Sequence, residues 1–82
     1  MKRGTRKITE VKFLFFQRFL KSLGYLYNRS NGTSHHIFKN DVNRKVCVVS
    51  KHKATIHPRT IIQSLNEMEI SRKQYSDWLE KQ

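Results

Sequence analysis

The chain has 82 residues, enough for one small domain and too few for a second, and it carries 17 Lys and Arg against 6 Asp and Glu for a net charge of +11 at pH 7. Such an excess points to a polyanionic partner: nucleic acid, an anionic membrane or an acidic protein. A hydrophobic fraction of 37%, with five Phe, three Tyr and one Trp, excludes a disordered basic tail.

Met1 to Lys7 reads as a basic lead-in, with residues 1–8 ahead of the first element of a single 1–82 domain. Thr9 is a suitable N-cap, Glu10 sits where a helix dipole favours negative charge, and Ile8 and Phe13 have the spacing of a hydrophobic staple. Phe13, Phe16, Leu20 and Leu23, flanked by Phe19, recur at helical spacing up to Gly24, a natural C′ residue, so a helix is expected over 10–23. Phe15, with Val11 alongside, falls off that face and suits contact with a protein partner. Tyr25 to Arg29 reads as a strand, Asn31-Gly32 as a turn, and His35 to Lys39 as the returning strand. A second turn over Asn40 to Arg44 leads into the β-branched run Lys45 to Val49. Residues 50–57 are then a basic loop. Pro58 opens a second helix bearing Ile61, Ile62, Leu65 and Met68 on one side, and His57 before it is assigned to the helix start. Ser71 and Gln74 have capping-box spacing and Ile70 and Tyr75 staple spacing, which predicts a short helix within 70–82, folded back through Trp78 and Leu79. The order of elements gives an α+β two-layer domain.

Four of the six carboxylates, Glu67, Glu69, Asp77 and Glu80, lie in the last sixteen residues, and the rest of the chain holds only Glu10 and Asp41. Nucleases that gather carboxylates around a hard cation, and glycosidases that need a facing pair of acids, are therefore poorly served, and no metal or other cofactor is expected. Cys47-x₄-His52-x₄-His57 lacks the short paired spacing of a structural zinc site. Cys47, the one cysteine, cannot form an internal disulfide and reads as a buried small hydrophobe in a chain of the reducing cytoplasm. The longest apolar run, Phe13 to Phe16, is far short of a membrane span. Proton-transfer chemistry on a phosphate polymer would fall to His35, His36, His52 and His57.

The segment Gly32-Thr33-Ser34-His35-His36-Ile37-Phe38, together with Leu23-Gly24-Tyr25, Arg29, the Val-rich third strand, His52 and Pro58-Arg59-Thr60-Ile61, resembles the HicA family of toxin-antitoxin ribonucleases over roughly residues 12–79. The resemblance implies a double-stranded-RNA-binding-like α-β-β-β-α fold, metal-independent cleavage of mRNA, a catalytic histidine at His35, and a HicB-like antitoxin that occludes the site. Thr33 stands inside the family's commoner Gly-Ser-His string, Ser50 where a proline is frequent, and Arg59 where a glycine is.

The chemistry follows from RNA itself. RNA carries its nucleophile as the 2′-OH, so a histidine of near-neutral pKa can move the protons while fixed cations stabilise the phosphorane. Arg29, Lys39, Lys45 and Lys51 are candidates for that charge, Ser34 and His52 for further RNA contacts, and His52 also for a second acid-base group. His36 neighbours His35, but adjacent strand residues point to opposite faces unless a bulge re-aims one of them. A monomer is expected alone, with higher assembly supplied by the antitoxin. The alternative is a non-catalytic RNA-binding module of the same fold; a DNA-binding partner of a regulator is the third reading.

Overall fold

The chain begins its described course with a two-residue strand that the sequence hides. The structure, a computed structural model, describes residues 7–32, 34–51 and 53–82. Strand β1 (Val11–Lys12) runs directly into helix α1 (Phe13–Ser22). It pairs antiparallel with β5 (Thr55–Ile56), Val11 opposite Ile56 and Lys12 opposite Thr55. The helix expected from residue 10 therefore starts at Phe13. Its N-cap is Lys12, which makes no side-chain capping bond, and the Phe13 N–H donates to the Ala54 carbonyl at 2.8 Å. Thr9 and Glu10 have other surroundings: the Glu10 carboxylate accepts from the Thr55 hydroxyl at 2.8 Å. Ile8, assigned to the lead-in, is buried in the core. Local capping signals lost to a cross-chain ladder that satisfies the same backbone groups.

Strands β2 (Tyr25–Asn31), β3 (His35–Asn40) and β4 (Val46–Ser50) form an antiparallel sheet in that order. The β2–β3 register slips between Tyr27 and Arg29, a bulge, so Tyr27 faces Phe38 while Arg29 faces Ile37. Helix α2 (Pro58–Met68) has Pro58 in its first turn, and its N-cap His57 accepts from the Arg59 N–H through Nδ1 at 3.0 Å, the helix-start role expected of it. Glu69 ends the helix in the left-handed region at φ 59°, with the Ile70 N–H donating to the Leu65 carbonyl. Helix α3 (Arg72–Glu80) starts as expected, Ser71 accepting from the Gln74 N–H at 3.1 Å.

Both long helices cover one face of the sheet. Tyr25, Phe38, Cys47 and Val49 meet Phe16, Phe19 and Leu20 of α1 and Ile61, Leu65 and Met68 of α2 in one buried cluster. Tyr75 brings α3 onto it, edge-on to Phe16 and Phe19 at centroid distances of 5.9 and 4.9 Å. Phe15, expected off the core face, is half-buried beneath Trp78 at 5.2 Å; Leu14, 71% exposed, is the large apolar residue that α1 turns to solvent. The free edge of β4 is guarded by Glu67, which accepts from the Val48 N–H at 3.2 Å.

The turn between α1 and β2 is locked by Asn40. Gly24 takes φ 97°, and a Cβ there would stand 3.0 Å from Asn40 Nδ2. The buried Asn40 amide donates to the Leu23 carbonyl at 3.0 Å and accepts from the Val42 and Asn43 N–H groups at 2.9 and 3.2 Å. It thereby ties the end of α1 to the β3–β4 turn. Asn40→Ala orphans these backbone groups and should cost about 2 kcal/mol in urea unfolding, whereas the exposed neighbour Asp41→Ala should change stability by less than about 0.5 kcal/mol.

Candidate functional site

Strand register sorts the candidate residues onto two faces. His36 pairs with Ser30 and Val49, and lies on the helix-covered face with Tyr27 and Phe38. His35 pairs with Asn31 and Ser50 and lies on the open face with Ile37, Lys39 and Arg29. The two histidines therefore do not meet at one point, as the alternation of a strand requires.

His36 stands at the centre of a small cluster. Its ring lies 5.0 Å from that of Phe13 at the start of α1 and 5.9 Å from that of Tyr27. The Tyr27 hydroxyl lies 3.4 Å from Nδ1, a long contact in which the hydroxyl donates when that nitrogen is unprotonated. The Lys51 ammonium sits over the Phe13 ring, 4.8 Å from its centroid. Lys51 is held in place by its own N–H, which donates to the Ser34 carbonyl at 2.7 Å and so closes the end of the β3–β4 ladder. Partial burial pushes the His36 pKa below the usual histidine value, and the Lys51 ammonium and then His35 push it in the same direction. The neutral form of its imidazole is thereby favoured, with a positive charge beside it.

The other predicted residues are distributed. Ser34 and Lys51 border the His36 cluster through their backbone bond. Arg29, directly opposite Ile37, and Lys39, two residues beyond Ile37 on β3, share the open face with His35. Lys45 is engaged with Glu69 at 2.8 Å, and this ion pair holds the Glu69 carboxyl below its usual range. His52 and Thr33 lie outside the described residues. Cys47 is fully buried and its thiol is pushed up to about 12 by burial, which makes it the packing residue expected and a poor nucleophile.

Phe13 and Tyr27 were not among the candidate residues. The helical spacing of Phe13 reads as core, and the Tyr25-Leu26-Tyr27 alternation is the one signal that puts Tyr27 on the face of His36. Among the described residues no group of three His, Cys, Asp or Glu is gathered as a metal site would need, and no helix is long and apolar enough to cross a membrane.

A three-stranded antiparallel sheet with helices on one face and a basic, histidine-bearing strand defines an α+β protein of the double-stranded-RNA-binding-like α-β-β-β-α class. Within that class, residues 16–70 match the family described as the HicA toxin of bacterial toxin-antitoxin systems. The chain belongs to this family and is the toxin member of a pair that includes a cognate antitoxin. No curated protein and no solved structure matches it.

The position of Lys51 gives a direct check. An NMR titration of the histidines should find His36 with a midpoint below the ordinary value of about 6.5, and Lys51→Met should raise that midpoint without restoring it fully, because burial is the larger cause. With the folded-state pKa depressed, the unfolded chain binds more protons in the window between the two values. The contribution of His36 to stability is therefore complete above the ordinary histidine pKa and is lost as the pH falls through the folded one.

Proposed function

We propose that this toxin is an endoribonuclease that cleaves mRNA in the cytoplasm without a metal ion, and that its antitoxin, a HicB-like acidic protein, silences it by covering the site. The observation that carries the reading is the placement of the His36 imidazole between Tyr27 and Phe13 with the Lys51 ammonium alongside.

The chemistry needs three acts. A base removes the proton of the 2′-OH as its oxygen attacks the adjacent phosphorus, a cation stabilises the doubly charged phosphorane, and the P–O5′ bond breaks as the 5′-oxygen takes up a proton. The products are a 2′,3′-cyclic phosphate and a 5′-hydroxyl. His36 is suited to the first act because its surroundings favour the neutral imidazole, and Lys51 to the second because its ammonium is held in place by packing and by its backbone anchor. Ser34 lies next to this anchor. Arg29, Lys39 and the partly engaged Lys45 extend the positive surface along the strands for the flanking phosphates. His52, by its place in the sequence directly after Lys51, remains a candidate for the proton delivered to the leaving group.

Metal independence fits the employment of four of the six carboxylates. Glu10 accepts from Thr55, Glu67 guards the β4 edge, Glu69 pairs with Lys45 and Asp77 with Lys73. Each has a structural partner, at scattered places on the surface.

The resemblance assigns catalysis to His35, and the geometry favours His36; alanine substitution separates them. In EDTA, His36→Ala should reduce RNA cleavage by at least about 100-fold, the usual worth of a positioned acid-base group, while His35→Ala should stay within about tenfold of the unaltered protein. The reverse pattern would return the role to His35. Binding of RNA without cleavage by the unaltered protein would instead establish the non-catalytic RNA-binding module. As the pH falls through the His36 pKa, the rate should fall with it, since the base must be unprotonated.

A further inference from the structure

Beside the His36 cluster the surface opens into a hollow of about 390 Å³ bordered by Lys12, Phe13, Leu14, Lys51 and Ala54. Three features set it apart from a random dent. Its floor is apolar, supplied by Phe13, Leu14 and Ala54, and Leu14 is left 71% exposed on a helix whose other large apolar residues are wholly or partly buried. Among the described residues its rim carries two ammonium groups and no carboxylate. Its shape is fixed, because the Phe13 N–H to Ala54 carbonyl bond and the β1–β5 ladder hold the helix start against the loop after β4.

The hollow and the proposed reaction centre share two residues. Phe13 touches His36 on one side, Lys51 stands over the Phe13 ring, and both also border the hollow. A nucleic-acid chain with a phosphate at His36 and Lys51 thus has an adjoining base within reach of an apolar floor, with a second cation, Lys12, for the next phosphate.

We propose that this hollow is a nucleobase subsite, in which Leu14 and Phe13 receive the base of a nucleotide adjoining the scissile phosphate of single-stranded RNA, while Lys12 and Lys51 hold the backbone. The inference rests on the ribonuclease reading of the His36 cluster and adds the positioning of the substrate to it. An unpaired base fits this arrangement. A base in a duplex is already stacked and cannot enter a side pocket, whereas a free one gains by leaving water for an apolar surface. The absence of a carboxylate on the rim disfavours the basic partner that an acidic rim would select, and two lysines favour a ligand that carries phosphate next to its apolar group.

The test uses the full chain and short single-stranded RNA in which every 2′-OH is methylated, so that the nucleophile is missing and binding is read without cleavage. Two probes are compared by fluorescence anisotropy at one salt concentration, one fully base-bearing and a set with a single abasic position moved along the strand. The unaltered protein should bind the base-bearing probe about fivefold or more tightly than the probe abasic at one particular position, in line with the usual worth of a base on an apolar platform. Leu14→Ala keeps the charge and removes no core residue; it should abolish that preference and leave the abasic Kd unchanged. Its thermal unfolding should match that of the unaltered protein. Equal weakening of both probes, or no effect on either, would overturn the subsite. So would a Leu14→Ala protein that binds RNA normally but loses its acidic antitoxin, because the hollow would then be a protein contact. The outcome is independent of the His36 assay, in which a protein that cleaves RNA but shows no Leu14-dependent base preference loses only the subsite.

Discussion

The whole functional end of this molecule depends on a two-residue ladder. Val11 and Lys12 pair with Ile56 and Thr55, and the Phe13 N–H closes the arrangement on Ala54. A ladder this short is weak alone; it persists because Ile56, one of its four residues, is fully buried in the core. Without it the start of α1 and the chain after β4 would be two independent segments. With it, Phe13 is pressed against His36, Lys51 is set over Phe13, and Leu14 is turned to solvent at the lip of the hollow. The proposed proton-transfer group comes from one strand, its charged neighbour from the end of another, and its apolar wall from a helix. Only this junction gives the three a common geometry.

The same junction marks the limit of what could be read from the chain. Gly24, Gly32, Pro58 and Ser71 announce themselves because their effects are local: a positive φ, a missing N–H, or a side chain reaching a backbone group three residues away; Asn31, expected to share the turn, instead ends β2 opposite His35. The three central strands were legible for the same reason. Thr9 and Glu10 offered an equally good local signal for a helix start, and it was overruled by Thr55 and Ile56, more than forty residues distant, whose pairing no periodicity discloses. Placing the helix start three residues later is what frees Leu14 from the helix interior and gives Phe13 to the site.

The site was legible in part. Alternation along β3 correctly separates His35 from His36, and the abundance of basic residues around them is plain in the composition. Which of the two meets a helix could not be known until the sheet face covered by α1 was known. That depends on Tyr25, Phe38, Cys47 and Val49 forming the buried row, with His36 continuing it toward the sheet end. The bulge at Tyr27 and Arg29 is also silent in the sequence, yet it changes which residues of β2 face Ile37 and His36. Likewise Lys45 looked equivalent to Lys51 by charge and differs entirely by neighbour: one faces Glu69, the other an aromatic ring and an imidazole.

That difference gives Lys51 two consequences that pull against each other as substrate arrives. In the free protein its charge, added to partial burial, disfavours the imidazolium form of His36 and keeps the base ready. A phosphate docked on Lys51 brings a negative charge to the same spot, which screens the ammonium and favours the protonated imidazole. Covering the site with RNA, however, removes water and strengthens the burial contribution, which opposes protonation. In the ribonuclease reading proposed above, a His36 kept in its neutral form takes its proton from the 2′-OH. In that reading the positive charge then produced on the ring would lie next to the phosphorane, whose added negative charge does not exist in the ground state. The attraction is therefore greatest in the transition state, where it lowers the barrier rather than merely tightening binding.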